Sequence, residues 1–252
     1  MYKHFFKRLF DIIVSLVFLP FFLIIFLIFA PIIKLTDGGP VFYNAPRLGK
    51  NGKVFKMYKF RSMKVNSPNI LNADGSTYNG NNDPRVTKIG RFMRKTSIDE
   101  TPQILNILFG HMSIIGPRAH LTTNYKGYDE LDEPHKRRIA VRPGLTGYNQ
   151  AYFRNSVSAE EKIANDVYYV DNLSFWMDVK VFFKTIVTVL KRDNVYVKEE
   201  KPAAVVTVDA DGNKCKVEVD SAEEAIEIAE TAETVSAEHS EDGEKEPVGA
   251  VE

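Results

Sequence analysis

"IIVSLVFLPFFLIIFLIFAPII", residues 12–33, is a run of 22 positions without a charge. A straight helix of that length spans roughly 33 Å, enough for a bilayer core of about 30 Å. The run therefore reads as a transmembrane helix or uncleaved signal anchor. It is too long for a cleaved signal peptide, and no A-x-A site follows it. A third reading rests on two details. Pro20 near the middle removes a backbone hydrogen bond and bends a helix. Both flanks are basic, with Lys3, Lys7 and Arg8 before and Lys34, Arg47, Lys50 and Lys53 after. Basic flanks favour the cytoplasmic side, so a hairpin entering and leaving on one face also fits.

The net charge of zero over 252 residues hides an asymmetry. Residues 199–252 carry −13, and residues 1–198 carry +13. The front is a basic body suited to phosphates, anionic lipid or nucleic acid, and the rear is an acidic tail. The one cysteine, Cys215, excludes an internal disulfide framework and a CxxC-type metal site. No Gly-rich P-loop is present, which argues against a nucleotide-dependent kinase, and no nucleic-acid motif accompanies the basic charge.

Beyond Lys34 the chain reads as globular. "PVFYNAPRLGKNGKVFKMYKFRSM" (40–63) alternates around a "GKNG" turn and predicts a hairpin with basic side chains on one face. Residues 64–84 read as a surface loop. Helices are predicted from about Lys88, near Ser97 and over 158–171, with a polar helical piece and a Pro-Gly turn within 127–150. In "FWMDVKVFFKTIVTVLKR" (175–192) the apolar residues fall at 3/4 spacing, which suits either core packing or a membrane interface. The tail predicts two strands around the "DADGN" turn and an acidic helix, "SAEEAIEIAETAETV". As a charge run it reads as a solubilising extension, with its last dozen residues disordered.

"KTSIDETPQILNIL" (95–108) places Asp99 beside Glu100. Structurally, Ser97 and Glu100 form a capping-box pattern, with Asp99 favoured in a first turn. Functionally, an ionised carboxylate there can attack phosphorus, and its neighbour can hold Mg²⁺ against phosphates. Arg91, Arg94, Lys95 and Arg118 supply nearby positive charge.

Five blocks occur in order: "KRLFD" (7–11), "GGPVFYNAPRLGKNGKVFKMYKFRSM" (38–63), "DPRVTKIGRFMRKTSIDETPQILNILFGHMSIIGPR" (83–118), "VRPGLTGYNQ" (141–150) and "DVYYVDNLSFWMDVK" (166–180). Together they resemble the bacterial sugar transferases known as monotopic phosphoglycosyl transferases, in the small form, from about Lys3 to Arg192. The resemblance implies an α+β, mainly helical fold. Its parts are an N-terminal re-entrant membrane hairpin (1–36), a compact cytosolic core with a β-hairpin and interfacial amphipathic helices (37–198), and an extension without counterpart (199–252). It implies Asp99 as nucleophile and Glu100 as its Mg²⁺-associated partner, with Asp99 also near the metal. Lys59, Arg94 and Arg118 are implied as phosphate-binding, Asp166 as a further polar site residue, and Arg154 as a nucleotide contact. It implies transfer of a phosphosugar from a UDP-sugar to undecaprenyl phosphate with release of UMP, at the inner leaflet of the cytoplasmic membrane. A homodimer is compatible with it. Three departures stand out: Leu19 before Pro20 where a Ser-Pro pair is frequent, Ala119 after "GPR" where proline is frequent, and Thr101 within "DETPQ". The rival reading is an inactive membrane-anchored scaffold of the same fold.

Overall fold

A computed structural model describes the chain except for residues 73–77, 79, 81–82, 123–124, 155, 192–201, 209–213 and 232–252. The "DADGN" turn and the last dozen residues fall outside the described residues. The chain divides into two compact units, Met1–Ser62 with Lys88–Val195, and Met63–Thr87 with Tyr196–Glu252.

The first unit opens with a short wide turn of helix, Tyr2–Phe6, leading into α1, Lys7–Asp37. Pro20 and Pro31 both lie inside α1, so the two expected arms belong to one continuous helical element. It is long and apolar enough to cross a membrane, with a mean hydropathy of 3.2 over its most apolar window. The helix is tied to the body at intervals along its length. Near its start, Arg8 donates to the carbonyls of Ile107 and Leu108. One turn later, Asp11 accepts from Ser113 Oγ at 3.0 Å and Ile114 N at 2.9 Å. Beyond Pro20, the rings of Phe22 and Phe26 stack on Phe60, and Phe29 stacks on Phe92. At the far end Asp37 pairs with Arg61. The remaining faces leave Leu16, Phe18, Phe21, Ile24 and Leu27 exposed.

The predicted hairpin is present. Strand β1, Phe42–Leu48, pairs antiparallel with β2, Val54–Phe60, and the turn uses positive φ at Asn51 and Gly52. Its charges are divided, which corrects the one-face reading. Cross-strand partners share a face and alternate along the strand, so Arg47 and Lys59 lie on one side and Lys56 on the other. Helix α2, Lys88–Thr96, precedes a single tight turn, Ile98–Glu100, and the six-residue α3, Gln103–Leu108. The fully buried Asn106 of α3 accepts from Tyr58 N and donates to Lys56 O, both at 2.8 Å, bonding α3 to β2 as a neighbouring strand would.

After α3, β4 (Ser113–Ile115) runs parallel to β6 (Gly144–Thr146), and β5 (His120–Leu121) adds to β1. The β4–β6 pair brings Gly116 against Gly144 so closely that a side chain at either would meet backbone within 2.5 Å, which only glycine permits. Around this pair stand α4 (Glu133–Arg138), α5 (Tyr148–Tyr152), α6 (Ala159–Asp171) and α7 (Phe175–Lys191). Helix α6 opens with a complete capping box between Ser158 and Glu161. Helix α7 buries Asp178 and Val181 but leaves Trp176, Phe183, Val189 and Leu190 exposed, so its apolar stripe is only partly used in packing.

The second unit revises the reading of residues 64–84 as a surface loop. Strand β3, Asn69–Leu71, pairs antiparallel with β7, Ala204–Val208, which in turn pairs with β8, Lys214–Glu218. The acidic helix, α8, covers 222–231. Ile70, Val205, Ala222 and Ala225 form its core, and a buried Arg85–Asp83 pair at 2.7 Å closes it. The tail therefore contributes two strands and a helix to a folded unit and is not merely a solvated run.

Candidate functional site

The acid pair sits on the turn between α2 and α3. Ser97, immediately before it, has φ 58 and makes no side-chain cap. The expected capping box is therefore absent, and Glu100 is free to turn elsewhere. Both carboxylates turn to Lys59 of β2, whose Nζ lies 2.8 Å from Asp99 Oδ2 and 3.5 Å from Glu100 Oε1. An ammonium is the stronger partner, because it brings a full opposite charge where a backbone amide brings only a dipole. Asp99 is 2 % exposed, so this ion pair stands in a largely desolvated place.

Two guanidiniums add to it. Burial pushes the Glu100 carboxyl up, but Lys59, Arg118 and Arg47 outweigh it and hold the group below its ordinary range. Arg47 shares the Lys59 face of the hairpin. Arg118 follows the β4–β6 glycine contact, where Gly144 N donates to Pro117 O at 2.9 Å and fixes the chain. Its guanidinium is exposed and makes no hydrogen bond among the described residues, leaving its forked donors available.

Asp166, on α6, is 2.6 Å from Arg138 of α4. Burial raises its carboxyl, against the opposing pull of Arg138 and Arg118. Arg138 also donates to the Arg118 carbonyl at 3.2 Å, so Asp166 connects to the Arg118 segment through that side chain. Arg94 donates through Nε to Ser62 Oγ at 2.9 Å. Arg154 follows α5 at φ 50, and its backbone N–H donates to the Asn149 carbonyl.

Sequence reading had not assigned Arg47 or Arg138 to the site. Arg47 could have been found, since the hairpin register puts it on the Lys59 face. Arg138 is one of several basic residues in "HKRR", and nothing local separates the buried one from its exposed neighbours.

Asp99 and Glu100 also bear on metal binding. No group of three or more His, Cys, Asp or Glu is gathered among the described residues, so a cage made by the protein alone is not formed there. Two adjacent carboxylates suit Mg²⁺, which is commonly held by one or two carboxylates with phosphates and water completing its shell.

A buried Asp99 and a half-buried Glu100 share one lysine, with arginines acting on them, on a body bonded to a long apolar helix, an arrangement that suits an anionic ligand. The sequence profile described as "Bacterial sugar transferase" matches residues 2–192, and the chain belongs to that family. It is similar to the "Exopolysaccharide production protein PSS" of Rhizobium leguminosarum bv. phaseoli, at 42 % identity over 74 % of this chain and 96 % of that protein. It is also similar to the "Undecaprenyl-phosphate galactose phosphotransferase" of Salmonella typhimurium, at 40 % identity over 77 % of this chain and 42 % of that protein. A third relative, the "UDP-glucose:undecaprenyl-phosphate glucose-1-phosphate transferase" of Klebsiella pneumoniae, is 41 % identical over 72 % of this chain and 39 % of that protein. The chain spans about two-fifths of the length of these last two.

Proposed function

We propose that this protein transfers a phosphosugar from a UDP-sugar to undecaprenyl phosphate, releasing UMP. The observation that carries the reading is the buried Asp99 held at 2.8 Å by Lys59 beside Glu100, with Arg47 and Arg118 acting on the same carboxylates' surroundings. The names of the relatives and the membership of the family support the substrate classes.

In the first step an Asp99 carboxylate oxygen attacks the β-phosphorus. The bond from that phosphorus to the bridging oxygen breaks, and UMP leaves with the electron pair, its charge met by the arginines. In the second, a phosphate oxygen of undecaprenyl phosphate attacks the same phosphorus, and the bond to Asp99 breaks. The carboxylate is returned unchanged, and the product is a sugar linked to the lipid through a diphosphate. Lys59 fixes the orientation of the nucleophile. Asp99 and Glu100 would hold Mg²⁺, which when bound supplies charge neutralisation to the phosphates.

The apolar helix enters the membrane from one side as a re-entrant element, with the body at the cytosolic surface. Contacts from Arg8 to Asp37 support this, since α1 stays with the body on both sides of Pro20. The exposed apolar side chains of α1 and of α7 support the same placement, at an interface where a lipid phosphate and a water-soluble nucleotide sugar can both arrive.

The test uses the full chain in lipid nanodiscs with Mg²⁺ and undecaprenyl phosphate, a panel of UDP-sugars, and UMP release as readout. Release with one or more sugars, abolished in Asp99→Asn and by chelation of Mg²⁺, is the expected result. Release undiminished in Asp99→Asn would refute the nucleophile assignment, and no release with any sugar from folded protein would refute the activity.

A further inference from the structure

A cavity of about 160 Å³ opens between β1, β5 and α4, lined by Leu48, His120, Tyr125, His135, Arg138 and Ile139 among others. We propose that it is the nucleobase subsite, receiving the uracil ring of the donor and of the departing UMP. This rests on the reading of the acid pair as the phosphate-transfer site.

Size comes first. Pockets for a whole drug-sized ligand are roughly 300–1,000 Å³, so this cavity suits one ring and neither an entire nucleotide sugar nor a polyprenyl chain.

The second observation is a pair of unsatisfied buried atoms. His120 Nε2 and Arg138 Nε are both buried without a hydrogen-bond partner among the described residues, although each residue lines the cavity. Buried polar groups are otherwise almost always paired, which makes a ligand the natural partner. Arg138 is 5 % exposed, and its Nη2 is held by Asp166 at 2.6 Å and the Arg118 carbonyl at 3.2 Å. It cannot swing out to find water. Tyr125 is likewise fixed, donating to the Gly52 carbonyl at 3.2 Å.

The chemistry of those atoms suits the polar edge of such a ring. Arg138 Nε–H is always a donor. Burial first, then Arg138, His135, Arg47 and Arg118, bring the His120 imidazole down to about 3, so at neutral pH it carries no charge. A neutral imidazole with its proton on Nδ1 offers Nε2 as an acceptor. Beside Arg138 Nε–H, such a nitrogen matches the imide edge of uracil, which presents N3–H flanked by carbonyl oxygens. Cytosine meets the same two atoms with its amine and N3, so the pair recognises a pyrimidine edge and does not by itself separate the two bases.

Position agrees with the reaction. Arg47 and Arg118 act electrostatically on both Glu100 and His120, so the acid pair and the cavity share these two cations. Arg47 and Leu48 are consecutive in β1, and Leu48 is registered with His120 of β5. An in-line attack by Asp99 drives the leaving phosphate away from Asp99, toward cations that neutralise its growing charge. The nucleoside attached to that phosphate continues into the cavity. The sugar is attached to the phosphorus that stays with Asp99 and needs no place there.

Binding of UMP, ribose 5-phosphate and inorganic pyrophosphate to the full chain in nanodiscs is measured by calorimetry, for the wild type, His120→Ala and Leu131→Trp. Leu131 also lines the cavity, so the second variant fills it without removing a polar group, and thermal melting verifies that each is folded. Wild type should bind UMP at least about tenfold more tightly than ribose 5-phosphate, the scale of one or two hydrogen bonds. Both variants should lose about tenfold for UMP and keep the affinity for pyrophosphate. Equal affinity of the wild type for UMP and ribose 5-phosphate would overturn the proposal without reference to any variant. So would unchanged UMP affinity in the folded variants, an equal loss for pyrophosphate, or altered choice among UDP-sugars at constant UMP affinity, which would make the cavity a hexose subsite. Since binding is read without turnover, failure of the transferase reading appears separately, as absence of UMP release from any UDP-sugar.

Discussion

Replacing Lys59 by alanine tests the electrostatic logic of the site most directly. Lys59 touches both carboxylates, and the side chains of Lys59, Asp99 and Glu100 are 24 %, 3 % and 28 % exposed. Removing one partner of a fully buried ion pair costs about 3–5 kcal/mol. Two of these three groups keep partial access to water, which lowers the expectation to about 2–3 kcal/mol. For a body of this size each kcal/mol moves the melting temperature by about 2–4 °C, so Lys59→Ala should melt roughly 4–12 °C below the wild type at pH 7.

The pH dependence gives a sharper check. In the wild type Glu100 lies below its ordinary value, so its stabilisation is present above that value and is lost as pH falls through the folded-state value. Without Lys59 the largest opposing charge is gone and burial raises the carboxyl. The variant then loses stability as pH rises through that raised value. The melting difference between the two proteins should therefore widen from pH 5 to pH 7. A difference that is small at pH 7, or constant across this range, would refute the account of Lys59 as the charge that compensates the pair. Asp99→Asn combined with Lys59→Ala should recover part of the loss, and UMP release should be absent in both.

Two further perturbations separate the parts of the fold. Arg138→Ala leaves Asp166, 2 % exposed, as an uncompensated buried acid and should cost about 3–5 kcal/mol in denaturant unfolding. Arg138→Ala with Asp166→Leu should be more stable than the single variant, and equal stability would show that the pair is not coupled. Val205→Asp puts a charge in the core shared by β3 and β7, where Val205 is fully buried, at a cost of about 3 kcal/mol or more. Hydrogen exchange at 69–71 should then accelerate at least tenfold while that at 103–108 is unchanged. Protection of 69–71 identical to wild type would show that the tail does not hold that strand.

Local periodicity predicted the β-hairpin and the longer helices because each is stabilised within a short span of chain. The same patterns failed where a distant partner competed. Ser97 and Glu100 have the letters and spacing of a capping box, but Lys59, forty-one residues away from Glu100, offers its carboxylate an ion pair, and Ser97 adopts φ 58 instead. At Ser158 and Glu161 the same pattern meets no such competitor and closes as a capping box. Strand β3 is three residues long, and its partner begins at Ala204, so neither length nor spacing announced it. The acid pair itself was legible as residue types in order; the buried Arg138 and the orphaned His120 nitrogen were not, since burial is decided by which strands and helices converge.

That convergence also explains how an apolar helix and a charged site can be held at a fixed relation. Arg8 of α1 bonds the last carbonyls of α3, and Asp11 bonds the start of β4. Asn106 bonds α3 to β2, and β2 carries Lys59 to the two carboxylates. Each link is a hydrogen bond from a buried or half-buried side chain, where loss of a partner is costly, so the chain of contacts resists adjustment at any single point. Phe22 and Phe26 reinforce it by stacking on Phe60, the residue next to Lys59. The position of α1 therefore sets the position of Asp99, and a substitution that repositions α1 must move that carboxylate as well.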